Sequence, residues 1–390
     1  MSLHKNLKQL DNAGIYLVSL LSSVLHEKDA PSLPADLNWN LIFQLAKMHS
    51  VEAMAFYGAE RFIKDDAALY PIWKRCRDAN LAQSLLQLEA RKEIFTALYE
   101  ANIRFLPLKG FETKRLYKKL EFRQMSDIDI LIDPENTPQI KTLMNGLGYS
   151  FQEDSAPYHD EYQKPPCILI EFHKQMLPED TPKQKYYKNI WKKALPDNEI
   201  PGGLKLTPED YYIYHIAHIW KHYSEFGSGI RSIMDLYVYL DKFREKMNWP
   251  YIRQELKTLK LYDFSIKIET LSQHWFASSN KTNYPALEIM QLQRSIFLSG
   301  VYGTKVAKRL KEMDSIQVEK GNLQKIKYIL KRLFISRQEL APSHPILKRY
   351  SVLLPFFWIL RLGEAVLYKK SVIKNELELF KEKTKDNENG

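Results

Sequence analysis

Three acidic residues stand where strands are expected. Arg123-Gln-Met-Ser126-Asp127-Ile-Asp129-Ile-Leu-Ile132 and, some forty residues on, Ile-Leu-Ile-Glu171-Phe-His173 both set carboxylates among branched apolar residues. A strand sends residues two apart to the same face, so Asp127 and Asp129 point together while Ile128, Ile130 and Ile132 point the other way. Asp is depleted in strands, and two like charges about 6–7 Å apart repel unless a cation or water screens them. A divalent metal is the obvious screen. Glu171 brings a third carboxylate to the same spot if the two strands are neighbours, and three oxygen ligands with open positions suit Mg²⁺ (or Mn²⁺), which takes few carboxylates plus substrate phosphates. His173 lies two residues beyond Glu171 and faces the same side, either to line a pocket or orient the carboxylate, or as a hydrogen-bonded structural histidine.

These residues need elements to hold them. From about residue 37 to 61 apolar residues recur at helical spacing, with Asp36 or Asn38 able to cap, and 71–101 continues in that style, clearest over 80–100. Residues 105–108 read as a short strand, 111–118 as a short helix, 127–132 as a strand ended by Asp133-Pro134, and 139–147 as a helix closed by Gly148. A weak strand at 149–152 and a firmer one at 167–172 follow. Helices return at 186–193, 208–223, 230–247 and 249–259, with several more up to about residue 382. The expected fold is α+β: a small mixed sheet core (102–200) between an N-terminal helical lobe (1–101) and a C-terminal helical lobe (201–382), with a frayed tail at 383–390. No repeat at fixed period is present.

Bulk properties narrow the classes. The 390 residues are 45% hydrophobic and 27% charged, a globular rather than a disordered composition. A net charge of +10 favours anionic partners, although the excess lies in stretches such as 305–311 and 325–332, where a solvated helix face is the plainer explanation; nucleic acid is possible but not favoured. Cys76 and Cys167 match no zinc spacing and read as core thiols of a reducing cytoplasm. The most apolar run, 352–360, is too short to span a bilayer, and no signal peptide is seen, so a cytoplasmic location is expected.

Taken in order, the strand-borne acidic pair, the small-residue turn before it and the later single acid resemble the DNA polymerase β-like nucleotidyltransferase superfamily. More narrowly, Leu108-Lys109-Gly110, Arg123 through Ile132, Gly148-Tyr149 and Ile170-Glu171-Phe172-His173 resemble the L-K-G, R-x-x-x-D-I-D-[IL]-L-[IV], G-Y and I-E-x-H elements of an uncharacterised bacterial nucleotidyltransferase family. The segment from Asn38 to His49 is similar to that family's opening, and the likeness covers roughly residues 35–240. It implies transfer of a nucleoside monophosphate from an NTP to a small-molecule or protein acceptor, with pyrophosphate leaving, by a two-metal mechanism. It implies Asp127, Asp129 and Glu171 as metal-binding catalytic residues, Glu171 on the acceptor side, and Lys109, Gly110, Arg123, Ser126 and His173 as nucleotide-side residues, Lys109 and Arg123 near the triphosphate. One departure stands out. The wider superfamily often carries a Gly-Ser or Gly-Gly turn here, whereas Lys109-Gly110-Phe111 supplies no hydroxyl, only a glycine that lets backbone N–H groups approach phosphate. The alternative reading is therefore a catalytically degenerate nucleotide- or partner-binding module on the same fold.

Other residues have plainer readings beside sharper ones. His215, His218 and His222 share one face of the 208–223 helix, a zinc-like spacing with no accompanying glutamate motif or cysteine. The likeness puts that helix and residues 231–235 beside the nucleotide cleft, with His222 or Asp235 on the substrate side. Trp220 and Tyr223 read as core.

Overall fold

In the computed structural model the described residues are 3–300, apart from 154–157, 167, 179–182, 226 and 278–286, together with 354, 355, 357 and 358. Residues 11–308 form one compact unit; residues 1–10 and 309–390 cluster as another, of which helical residues 3–10, 354, 355, 357 and 358 are described. The other expected elements beyond residue 300, and Cys167, lie outside the described residues.

Four helices come first: α1 (Leu3–Leu25), α2 (Trp39–Met48), α3 (Glu52–Ile63) and α4 (Leu69–Glu100). The Asn38 side chain caps α2 by accepting from the Leu41 N–H. The single helical stretch expected over 37–61 breaks at Ser50, whose φ of 50° no helix accommodates, so α2 and α3 fold apart and bury Phe43 and Phe56 around Trp73 of α4.

The chain then enters the sheet: β1 (Phe105–Pro107), α5 (Gly110–Lys114), β2 (Ile128–Ile132), α6 (Thr137–Gly146), β3 (Ser150–Gln152), β4 (His159–Lys164) and β5 (Ile168–His173). The strand order is β1-β2-β5-β4-β3, with β2 and β5 parallel and the other pairs antiparallel. Pro138 starts α6, and Gly148 at φ 81° ends it by turning the chain into β3, a conformation glycine adopts without a Cβ penalty. The strand β4 was not expected from its sequence. It lies between β3 and β5, pairs with both, and leaves β3 as the edge strand on that side.

Period-two alternation divides the sheet into two faces. Ile128, Ile130, Ile132, Ile168, Ile170, Phe172 and Tyr162 pack with Ile94 and Leu98 of α4 and Ile140 and Met144 of α6. Each such side chain contributes roughly 1.5–3 kcal/mol on burial. The other face carries Asp129 from β2, Glu171 and His173 from β5, and His159 and Glu161 from β4.

Beyond the sheet come α7 (Gln184–Tyr187), the two-residue strands β6 (Leu195–Pro196) and β7 (Leu204–Lys205), and then α8 (Pro208–Glu225), α9 (Ile230–Phe243), α10 (Trp249–Thr258), α11 (Tyr262–Phe276) and α12 (Leu287–Ser299). The expected 186–193 helix is only the short α7 and a separate 3-10 turn at Ile190–Lys192. Trp220 and Tyr223 are only partly buried, not core: Lys183 Nζ sits 3.6 Å from the centre of the Trp220 ring, and Tyr223 packs on Phe264. Cys76 is likewise half-buried rather than a core thiol. Among the described residues no helix is long and apolar enough to cross a membrane.

Candidate active site

Register brings the acids together. In the parallel β2·β5 pair Asp129 stands opposite Glu171, and Asp127 immediately precedes β2. Asp127, Asp129 and Glu171 each offer a carboxylate oxygen within 4.8 Å of the others. The expectation that Glu171 joins the pair through neighbouring strands is met by this geometry. Its donor set is all oxygen and anionic, which fits a hard divalent ion.

Lys109 supplies the positive charge nearest the trio. Its Nζ lies 2.5 Å from Asp129 Oδ1, 3.8 Å from Glu171 Oε2 and 3.4 Å from His173 Nε2. The backbone at Lys109 has φ 50° and ψ −122°, a region that L-residues avoid. The Tyr211 hydroxyl from α8 holds this turn by donating to the Lys109 carbonyl at 2.5 Å. Strain at the turn is thereby tied to the aim of the ammonium at Asp129.

The protonation equilibria of the acids diverge. Burial, reinforced by Asp129, pushes the Asp127 carboxyl up to about 6, with Lys109 opposing. Burial also works against the Asp129 carboxylate, but Lys109 and His173 together hold it well below the usual carboxylate range. Lys109 is held above its ordinary value against burial by Asp129, Tyr214, Asp127 and Glu171. Two adjacent carboxyls driven apart in this way are a mark of functional sites. His173 Nε2 lies 2.7 Å from Asp129 Oδ1 and 3.1 Å from Glu171 Oε2, so it orients both carboxylates.

Arg123 is placed differently. Its guanidinium is buried and forked onto Asp235 of α9, with Nη2 3.0 Å and Nε 3.2 Å from Oδ2, while the Tyr117 hydroxyl donates to Oδ1 at 2.8 Å. Asp235, expected on the substrate side, is the counter-ion of Arg123 and also lines the cleft shared with Asp127 and Asp129. This pair also accounts for Gly110: a Cβ there would lie 2.1 Å from Arg123 Nη1, so the glycine is required by the stacked guanidinium. The loop carrying Ser126 is fastened to both neighbours, by Gln83 and Gln87 of α4 on the Met125 carbonyl and by Arg231 of α9 on the Gln124 carbonyl.

Ser126, Asp127, Asp129, Lys109, Gly110 and Arg123 line one cleft, closed by Tyr214, His215, His218 and His222 of α8 and by Arg231, Ser232 and Asp235 of α9. His218 and His222 place their Nε2 atoms 3.1 Å apart; burial, with Lys221 and Lys109, brings His222 down to about 4, and burial with His222 lowers His218 well below its ordinary value. Both are therefore neutral near pH 7. Neither joins a group of three metal-binding side chains among the described residues. Sequence reasoning did not single out Tyr211, Tyr214 or His159; the i, i+3, i+7 run from Tyr211 through Tyr214 to His218 on α8 was the available signal for the first two.

Two solved structures of the antibiotic-resistance factor ANT(2'')-Ia are similar to the chain at 12% identity and a TM-score of 0.34. A solution structure covers 47% of this chain and 97% of that one, and a crystal structure in complex with adenylyl-2''-tobramycin covers 45% and 99%. So distant a likeness bears on neither fold nor chemistry. No curated protein matches the chain. The sequence model of the family described as uncharacterised nucleotidyltransferase matches residues 35–277, which take in α2 through α11, the whole sheet and every residue of the acidic cleft, and the chain belongs to that family.

Proposed function

We propose that the chain moves a nucleoside monophosphate from an NTP to a small-molecule or protein acceptor with Mg²⁺, using Asp127, Asp129 and Glu171. The observation that carries this reading is the convergence of three carboxylates, within 4.8 Å of one another, beside the Lys109 ammonium, with Asp127 and Asp129 lining the cleft. Mg²⁺ on these oxygens would polarise the phosphoryl group and offset the charge that develops in transfer. Lys109 balances the carboxylates in the free protein and offers a cation to the triphosphate. Glu171, oriented by His173, takes the proton of the acceptor hydroxyl as its oxygen bonds to the α-phosphorus. The bond from that phosphorus to the bridging oxygen breaks, and pyrophosphate leaves. The Arg123–Asp235 pair fixes the cleft wall.

The test is pyrophosphate release from α-labelled NTPs with Mg²⁺ or Mn²⁺ and a panel of hydroxyl acceptors. Release that is lost in Asp127→Asn and Asp129→Asn supports the reading; equal turnover in these variants and in the wild type overturns it. One observation favours the second reading, a binding module that has lost catalysis: Lys109 Nζ already sits on Asp129. Calorimetry separates the two, because NTP binding that needs no divalent ion and survives loss of both acids belongs to the module.

A further inference from the structure

We propose that His159, Glu171 and His173 form a second metal site, for a borderline transition ion of the Zn²⁺ class, sharing Glu171 with the acidic trio. The proposal goes beyond the transfer reading and does not depend on it. In the antiparallel β4·β5 pair His159 stands opposite His173 and Glu161 opposite Glu171, so two imidazoles face each other one row along from the acids. One ligand atom from each of His159, Glu171 and His173 lies within 4.8 Å of the other two. In a tetrahedral site, donor atoms about 2.0–2.2 Å from the ion stand roughly 3.3–3.6 Å apart, so binding requires the three side chains to draw together.

The environment is that of a built site rather than a surface cluster. His159 is 7% exposed and His173 4%. His159 Nδ1 is buried and finds no hydrogen-bond partner among the described residues, an omission that ordinarily costs about 1–3 kcal/mol. The other nitrogen, Nε2, lies 3.4 Å from Glu161 Oε1, the carboxylate–histidine contact that commonly orients a metal-bound imidazole. Two nitrogens and one carboxylate suit Zn²⁺, Co²⁺ or Ni²⁺ better than Mg²⁺, which prefers oxygen donors. Ions therefore sort between the two sites by donor chemistry.

Sharing Glu171 couples the sites. His173 Nε2 now holds both Asp129 and Glu171. An ion that takes His173 and Glu171 removes that support, so on the transfer reading Zn²⁺ inhibits Mg²⁺-dependent turnover.

The test uses the full chain, stripped with chelator and titrated calorimetrically with Zn²⁺ in excess Mg²⁺. The wild type is expected to bind one equivalent. His159→Ala should weaken Kd by about 100-fold, and His159→Gln, which keeps a polar side chain in the pocket, should do the same if the alanine variant folds poorly. Asp127→Asn, which removes transfer on the reading above, and His222→Ala, which removes the other histidine pair, should each stay within about threefold. Unchanged Zn²⁺ affinity in both His159 variants overturns the site, as does loss of the equivalent in Asp127→Asn or in His222→Ala. Retained Zn²⁺ binding together with pyrophosphate release that is equal in wild type and Asp127→Asn would remove the transfer reading and leave the site standing.

Discussion

One buried and one part-buried ion pair flank the loop between β1 and β2, and they differ in what surrounds them. Arg123 meets Asp235 one charge to one, across both carboxylate oxygens at 3.0–3.3 Å, with the Tyr117 hydroxyl also donating to Oδ1 and both side chains less than a tenth exposed. Lys109 meets Asp129 at 2.5 Å, but Glu171 and Asp127 crowd the same ammonium, its side chain is 23% exposed, and its backbone is strained. In the closed pair the two charges offset each other. An open one carries unspent negative charge at the mouth of a cleft, and that is where chemistry can be done.

The contrast breaks first at Arg123. Arg123→Ala leaves Asp235 buried without its partner, and urea unfolding should show a loss of about 3–5 kcal/mol. A loss below about 1 kcal/mol would mean the pair is not closed. Next comes Asp129→Asn, which should lower pyrophosphate release about 10²–10³-fold, equivalent to roughly 2.7–4 kcal/mol in the barrier. The comparison is sharpened if its unfolding midpoint moves much less than that of Arg123→Ala. Gly110→Ala is smaller again. Its Cβ drives into the Arg123 guanidinium, so about 1–3 kcal/mol of stability should be lost, and an Arg123→Ala background should absorb most of it.

What the chain discloses before folding follows the same divide. The acids of β2 and β5 stand out because Ile128, Ile130, Ile132 and Ile168, Ile170, Phe172 alternate with them, a pattern local to a few residues. The strand β4 is hidden for the opposite reason. His-Asp-Glu-Tyr-Gln-Lys has one apolar residue and low strand propensity, and only its pairing with β3 and β5 makes it a strand. With β4 unseen, His159 had no neighbour to be read against. The link between Arg123 and Asp235 spans 112 positions and depends on how α9 docks, which no local spacing encodes. Lys109 and Gly110 were legible as a special turn, yet the turn serves Asp129 and Arg123, partners set by tertiary packing.

The smallest effect separates the two aspartates themselves. Asp127 is raised from 3.8 to about 6 in the folded chain, so between these values the folded state binds more protons than the unfolded one. Its contribution to stability is therefore present below about pH 4 and is lost as pH rises through about 6. Asp129 is lowered, so its contribution runs the other way: present above the usual carboxylate range and lost on strong acidification. In chelator, Asp127→Asn should gain stability relative to wild type between pH 4.5 and pH 7, on the order of 1 kcal/mol once solvent screening is allowed for. Asp129→Asn should show no such gain, since at pH 7 it leaves Lys109 with a neutral partner. Parallel urea midpoints for Asp127→Asn and wild type across that range would mean that Asp127 is not under electrostatic load, and the open character of the Lys109 cluster would then rest on Asp129 and Glu171 alone.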